Sequence, residues 1–323
     1  MPGGPPSAAN AVLLYDAVMS NDHKLTLMTV HAHPDDETIG TGGTMAKAVA
    51  EGRRVVLVTG TRGELGEIVV SEMDTPANHH RLGEIRAGEL EAAMGELGVT
   101  EWENLGYRDS GMMGDPGNRD PRNYWQADLD SAIGRLVWFV RTVQPDVMTT
   151  YNDFGGYGHP DHIRTHLVAV GAFERAGDAK AYPEQLGDGV EPWSPSKLYE
   201  QAMSRKLRES MNERMAAMGR RSFWLPPEDA TPEQIAEHEA FIAKATVPEE
   251  SITTRIDIGP YVDRKWAAIQ RHVTQISSES PFMQMGLDGW RDAWSTEAYV
   301  LRETRIPAAA PETDLFAGLI GIS

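Results

Sequence analysis

Hydrophobic and polar positions alternate between two rhythms along the first 180 residues. Leu25–His33 is an apolar, β-rich run that stops at Pro34, and Arg53–Thr61 carries Val55, Val56, Leu57 and Val58 in succession. Runs this short and this apolar predict strands buried on both faces. Between and after them the period lengthens. Thr38–Glu51 reads as a helix stopped by Gly52. Arg81–Leu97 places Leu82, Ile85, Leu90, Ala93, Met94 and Leu97 on one stripe, with Gly98 as its stop. Trp102–Tyr107 predicts a third strand, Leu129–Val143 a helix ended by Pro145, and Asp146–Tyr151 a fourth strand. Alternating strands and helices predict an α/β fold: a Rossmann-like, mainly parallel sheet flanked by helices. Ligands of such sheets sit beyond the carboxyl ends of the strands.

After residue 180 the texture changes. Ala181–Pro195 is rich in turn residues, Ser204–Arg220 is a basic helix, and Pro232–Ala245 is a helix inside an acidic stretch. Ser251–Ile258 alternates as a strand, Tyr261–Ile276 as a helix and Glu297–Thr304 as a last strand. The expected organisation is an N-terminal extension over 1–23 with a short helical segment near Ala9–Met19, a metal-binding α/β core over 24–180, and an α+β cap over 181–323 that completes the same domain.

Composition narrows the function. The chain has 323 residues, 41% of them hydrophobic, and a formal charge of −18. Such a surface repels phosphate backbones and anionic lipid, so neither nucleic acid nor membrane is an expected partner. There is no cysteine. Disulfides, thiolate nucleophiles and cysteine-held metals are excluded, and any metal must be bound through nitrogen and oxygen. No basic segment precedes an apolar core at the N-terminus, and no run reaches spanning length, which predicts a soluble, cytoplasmic protein.

Two clusters carry candidate chemistry. His31-Ala-His33-Pro34-Asp35-Asp36-Glu37 follows the first strand, and Tyr151-Asn-Asp153-Phe-Gly155-Gly-Tyr157-Gly-His159-Pro160-Asp161-His162 follows the fourth. At a strand-to-helix turn, His33 and Asp36 can converge on one point, while Asp35 can face it without being a ligand. His162 completes a set of two histidines and one carboxylate, which leaves coordination positions open as a catalytic metal requires. If strand alternation persists, His31 points away from His33, and His166 is a second bystander.

These residues resemble the LmbE-like zinc-dependent N-deacetylases, which include the N-acetylglucosaminyl-phosphatidylinositol de-N-acetylases and the enzymes of mycothiol and bacillithiol metabolism. The resemblance spans about residues 25–318 and includes Arg62-Gly-Glu-Leu-Gly-Glu67, Glu84-Ile-Arg86 with Glu89, Arg108-Asp-Ser-Gly-Met112, His162-Ile-Arg-Thr-His166 and Thr274-Gln-Ile276. All look like the mycothiol branch, and the tail Pro311-Glu-Thr-Asp-Leu-Phe-Ala-Gly318 looks more like its conjugate amidases than its glucosaminyl-inositol deacetylases. The resemblance implies Zn²⁺ held by His33, Asp36 and His162, with Asp35 as general base. Tyr157 and His159 would face the acyl oxygen, His159 as an imidazolium. Arg86, Asp109 and Glu67 would serve the substrate, an amino sugar or thiol conjugate. Read without the resemblance, Arg86 and Glu89 are an exposed ion pair one helical turn apart. The resemblance also allows a homo-oligomer.

Two other classes fit part of the pattern. His33-Pro-Asp35 with a distant histidine has the spacing of a non-haem iron(II) oxygenase, although strand–helix alternation does not suit that fold. A metal-dependent sugar-binding protein without turnover would need the ligands but not Asp35.

Overall fold

The computed structural model describes residues 24–222, 224–280 and 283–319. The helical segment expected near Ala9–Met19 lies outside them. One seven-stranded sheet organises the chain, in the order β3-β2-β1-β4-β5-β7-β6. Its first four strands are β1 (Thr26–His31), β2 (Arg54–Thr59), β3 (Glu101–Asn104) and β4 (Val147–Thr150), all parallel. The helices α1 (Asp36–Ala50), α2 (Leu82–Leu97), α3 (Leu129–Val143) and α4 (Pro160–Arg175) follow those strands. The chain reverses direction across the sheet between β1 and β4, so the loops after these two strands open at a topological switch point.

Every residue of β1 is buried, and alternation divides its side chains between two cores. Leu27 packs with Met45 of α1 and with Leu90, Met94 and Leu97 of α2. Met28 and Val30 pack on the other face with Leu136 and Val140 of α3 and Val168 and Phe173 of α4. The stripe read on α2 is this buried face, and Gly98 ends the helix in the left-handed region at φ 78°. The third strand is shorter than expected. It ends at Asn104, and Gly106 at φ 77° turns the chain away.

The C-terminal part adds strands as well as a cover. β5 (Lys197–Gln201) pairs parallel with β4, and β7 (Thr296–Thr304) inserts antiparallel between β5 and β6 (Thr254–Asp257). Helices α5 (Arg205–Ala217), α6 (Pro232–Ala245), α7 (Val262–Ile269) and α8 (Gly286–Ala293) complete this part. The helix expected over Tyr261–Ile276 stops at Ile269, and the next residues form turns whose side chains reach the N-terminal half. Buried ion pairs lock these late elements in place. Lys197 Nζ lies 2.7 Å from Glu312 Oε1, and Lys265 Nζ lies 2.6 Å from Glu297 Oε1. Glu297 also accepts the backbone N–H groups of Gly43 and Thr44 in α1, at 2.9 and 2.8 Å. A buried carboxylate with this many donors keeps its charge compensated.

Candidate metal centre

The loop after β1 is built around a strained residue. Asp35 is the N-cap of α1 at φ 114°, ψ −37°, a region that residues other than glycine rarely enter. Its neighbours impose this conformation. The Asp35 N–H donates to Glu37 Oε2 at 2.8 Å, and its carbonyl accepts from the N–H groups of Thr38 and Ile39, both at 3.0 Å. Arg86 of α2 reaches in from the side, donating to the Pro34 carbonyl at 2.5 Å and placing Nη2 3.3 Å from Asp35 Oδ2. Glu37 is fully buried, and its other oxygen meets the Thr38 hydroxyl at 2.5 Å and His272 Nε2 at 3.0 Å.

The loop after β4 runs through Gly155, Gly156 and Gly158, all at positive φ. A side chain on Gly155 would meet His162 Cβ at 2.6 Å, so glycine there is what allows the His162 ring to pack against this turn. His159 is the N-cap of α4. Its Nδ1 accepts the N–H of Asp161 at 3.1 Å. Pro160 takes the first helical position, where its missing N–H costs nothing.

Three donor atoms from the two loops converge. His33 Nδ1, Asp36 Oδ2 and His162 Nε2 are separated from one another by 3.3 Å along every edge. Tetrahedral zinc with bonds of about 2.0–2.1 Å requires ligand atoms about 3.3–3.4 Å apart. The outer nitrogens fix the tautomers. His33 Nε2 faces Asp161 Oδ2 at 3.3 Å, and His162 Nδ1 faces the Gly155 carbonyl at 3.1 Å. Carboxylate and carbonyl oxygens only accept, so both outer nitrogens carry the hydrogen. The inner nitrogens are then lone pairs, turned toward each other and toward a carboxylate. This arrangement could hold a cation, and imidazoles backed by carboxylate or carbonyl are the usual outer arrangement of metal-binding histidines.

The electrostatics separate the members of the cluster. Burial alone would lower the pKa of His33, yet the carboxylates of Asp109, Asp161 and Asp36 hold it well above the ordinary value. Asp36 is held well below the usual carboxylate range, because His162 and His33 outweigh its burial. Asp35 behaves differently. Burial raises it to about 6, with Arg86 opposing. Burial lowers His159, and the neighbouring His33 and His162 lower it further. His159 Nδ1 accepts the Asp161 N–H, which places the hydrogen of the neutral ring on Nε2.

His33 also belongs to two other sets of possible ligands, one with His159 and His162 and one with the carboxylates Asp109 and Asp161. The oxygens of these carboxylates are already occupied. Asp161 accepts the Ser110 N–H at 2.9 Å and the Ser110 hydroxyl, and Asp109 accepts the N–H groups of Leu65 and Gly111 at 3.0 and 2.8 Å. These two carboxylates back His33 from behind.

Comparison with known proteins gives this centre its context. The family model described as PIG-L, GlcNAc-PI de-N-acetylase, matches residues 28–173, which include both loops. The 1D-myo-inositol 2-acetamido-2-deoxy-alpha-D-glucopyranoside deacetylase of Geodermatophilus obscurus is 43% identical over 302 residues, covering 91% of this chain and 98% of the relative. Deacetylase 1 of the same name from Frankia alni is 44% identical, covering 90% of this chain and all of the relative. The chain belongs to the GlcNAc-PI de-N-acetylase family. Two solved structures share the fold at TM-score 0.57 and 20% identity. They are the N,N'-diacetylchitobiose deacetylase of Pyrococcus horikoshii, covering 92% of this chain and 94% of that one, and a 4-carboxy-2-hydroxymuconate hydratase of Pseudomonas putida, covering 88% and 99%. A deacetylase and a hydratase on one scaffold make the argument about reaction depend on side chains.

In this family member the residues named from sequence fall into distinct groups. His33, Asp36, His159 and His162 come together, and Asp35 adjoins them in the same turn with its carboxylate beside Arg86. Tyr157 joins them with its ring 4.8 Å from that of His162, and it remains 42% exposed. Arg86 and Asp109 lie behind the loops, buried, with hydrogen bonds to backbone at Gly63 and Pro34 and at Leu65 and Gly111. Glu67 is exposed, and its carbonyl accepts from Gln275. The surface pair expected of Arg86 and Glu89 is not formed. Both are buried, and Glu89 instead accepts the Thr274 N–H and hydroxyl, each at 2.7 Å. His31 and His166 are buried bystanders, bonded to Thr41 at 2.9 Å and to the Tyr151 carbonyl at 2.9 Å. Sequence reasoning missed two supports, Asp161 and His272. Asp161 was visible as the echo of Asp35 in a second His-Pro-Asp. No signal in the sequence linked His272 to Glu37, 235 residues away.

Proposed function

We propose that this chain is a zinc-dependent hydrolase that removes the acetyl group from N-acetylglucosaminyl-inositol. The observation carrying the reading is the triangle of acceptor atoms with 3.3 Å edges beside a carboxylate outside it. His33, Asp36 and His162 would hold the ion. When bound, zinc supplies a Lewis acid for the amide carbonyl and makes water acidic enough to act near neutral pH.

The protein's own groups do the rest. Asp35, raised to about 6 by burial, accepts the proton of the attacking water near neutral pH and later passes it to the leaving amine. Arg86 keeps that carboxylate in place through the Pro34 carbonyl. His159, held by the Asp161 N–H, presents its Nε2–H to the developing oxyanion, and Tyr157 lines the same side. Asp161 orients His33.

The substrate is read from the relatives, which carry the inositol deacetylase name over more than nine-tenths of their length. This favours the deacetylase over the conjugate amidase that the tail resembles. The same reading takes a small molecule as partner. It also puts the enzyme in the cytoplasm. Among the described residues no helix is long and apolar enough to cross a membrane. The test is release of free amine from N-acetylglucosaminyl-inositol by zinc-loaded protein, with loss on chelation and recovery on adding zinc back. Turnover that survives complete metal removal would overturn it.

A further inference from the structure

N-acetylglucosaminyl-inositol is polar except for one methyl group, but the space beside the metal centre is not. A cavity of about 390 Å³ begins at Asp36, Tyr157 and His162 and continues between β5, β7, α5 and α8. Its far walls are Met203, Leu207, Met211, Trp224, Trp290 and Trp294. Lys265 and Glu297 also line it, but they satisfy each other. At the neck, Gln201 packs so closely on Gly40 that a Cβ there would come within 1.8 Å of its amide oxygen, and Gln201 Nε2 has no acceptor among the described residues. Sugar hydroxyls buried against such walls would lose their hydrogen bonds, whereas an alkyl chain loses none.

The sheet order assigns the two sides of the scissile amide. β2 and β3 lie on one flank of β1, and the loops after them carry the exposed Arg62, Glu67 and Arg108. The cavity lies on the other flank, past β4, where β5 ends and β7 begins. A sugar held on the polar flank directs the acyl group into the apolar one.

We infer that the cavity is an acyl-chain subsite and that the enzyme also hydrolyses glucosamine amides of medium-chain fatty acids. The inference rests on the amide hydrolysis proposed above. Water adds to the acyl carbon, the C–N bond breaks, the fatty acid leaves as its carboxylate, and the proton taken by Asp35 ends on the amine. Each methylene brought out of water into the cavity favours binding by up to about four-fold.

The experiment compares the zinc-loaded full chain on N-acetyl- and N-octanoyl-glucosaminyl-inositol and on N-acetylglucosamine octyl glycoside, whose apolar chain is on the sugar side. The expected result is an octanoyl KM lower than the acetyl KM by about ten-fold or more. Leu207→Trp and Ala298→Phe, which fill the cavity from α5 and from β7, should each lower the octanoyl-to-acetyl ratio of kcat/KM by about ten-fold or more. The ratio cancels any loss of folded protein. Acetyl turnover without octanoyl turnover overturns the subsite and leaves the deacetylase intact. A ratio that neither variant moves, or a gain found only with the octyl glycoside, also overturns it. Octanoyl turnover without acetyl turnover supports the subsite and overturns the acetyl reading, and inactivity on all three overturns both.

Discussion

The two histidine-bearing turns look like copies in sequence, and the structure uses them in different registers. Both contain His-Pro-Asp at the start of a helix. In the first, Asp35 is the N-cap and His33 precedes it by two residues; in the second, His159 itself is the N-cap and Pro160 and Asp161 belong to the first turn. This shift of two positions changes the roles of the first and third residues. Asp35 stands at φ 114° beside Arg86, whereas Asp161 lies buried behind His33 among the donors of Ser110. The fourth residue of each motif, Asp36 or His162, enters the triangle. A motif therefore tells which residue types are present, and the position of the helix start decides which of them reach the centre.

The comparison can be broken most severely at its shared point. His162→Ala should lose the metal, measured as ions per chain, and reduce turnover by at least about 10⁴-fold. The matched pair of aspartates comes next. Asp35→Asn should retain one ion per chain while turnover falls by about 10²–10⁴-fold. Asp161→Asn should act through metal affinity instead, weakening it by about 10–100-fold in a chelator competition and recovering turnover at high zinc. If the two variants behave alike, the difference in register has no functional meaning.

The smaller effects concern stability. His272→Gln removes the charged partner of buried Glu37 and should destabilise by about 2 kcal/mol. The pH dependence has a defined sign. The pKa of His272 is raised, because Glu37 outweighs its burial, so its contribution is complete below the ordinary value near 6.5 and disappears as pH rises through the folded value. Glu37 is lowered, because His272 outweighs its burial, so its contribution is complete above about 4.5 and disappears as pH falls through its folded value. The difference in Tm between wild type and variant should therefore narrow as pH rises past the folded His272 value. The smallest effect sharpens the contrast: Asp35→Gly should stabilise the fold by about 1 kcal/mol in denaturant unfolding, by removing backbone strain, while abolishing turnover.

The residues at the centre were legible because two short motifs follow two apolar runs that could only be buried strands. What supports them was harder to read. β5 escaped notice because Lys-Leu-Tyr-Glu-Gln does not look buried; its lysine is fully covered only because Glu312, 115 residues later, neutralises it. Arg86 and Glu89 suggested a solvated helix face for the same reason, since their partners lie on loops that close over α2 from elsewhere. The helix expected to run through Ile276 ended at Ile269 because His272 and Thr274 are needed by Glu37 and Glu89. Charge in a core is readable only when both partners are known.

The insertion of β7 between β5 and β6 has a consequence for how the molecule is made. All three side chains of the triangle lie at or before residue 162, but α1, which carries Asp36, is secured by Glu297 through Gly43 and Thr44. Synthesis therefore has to pass residue 297 before the helix that carries Asp36 gains this support. Contacts this distant in sequence make for slow folding, and until β7 arrives β5 is left with an unpaired edge. The helix that carries Asp36 is written long before the strand that finishes its support.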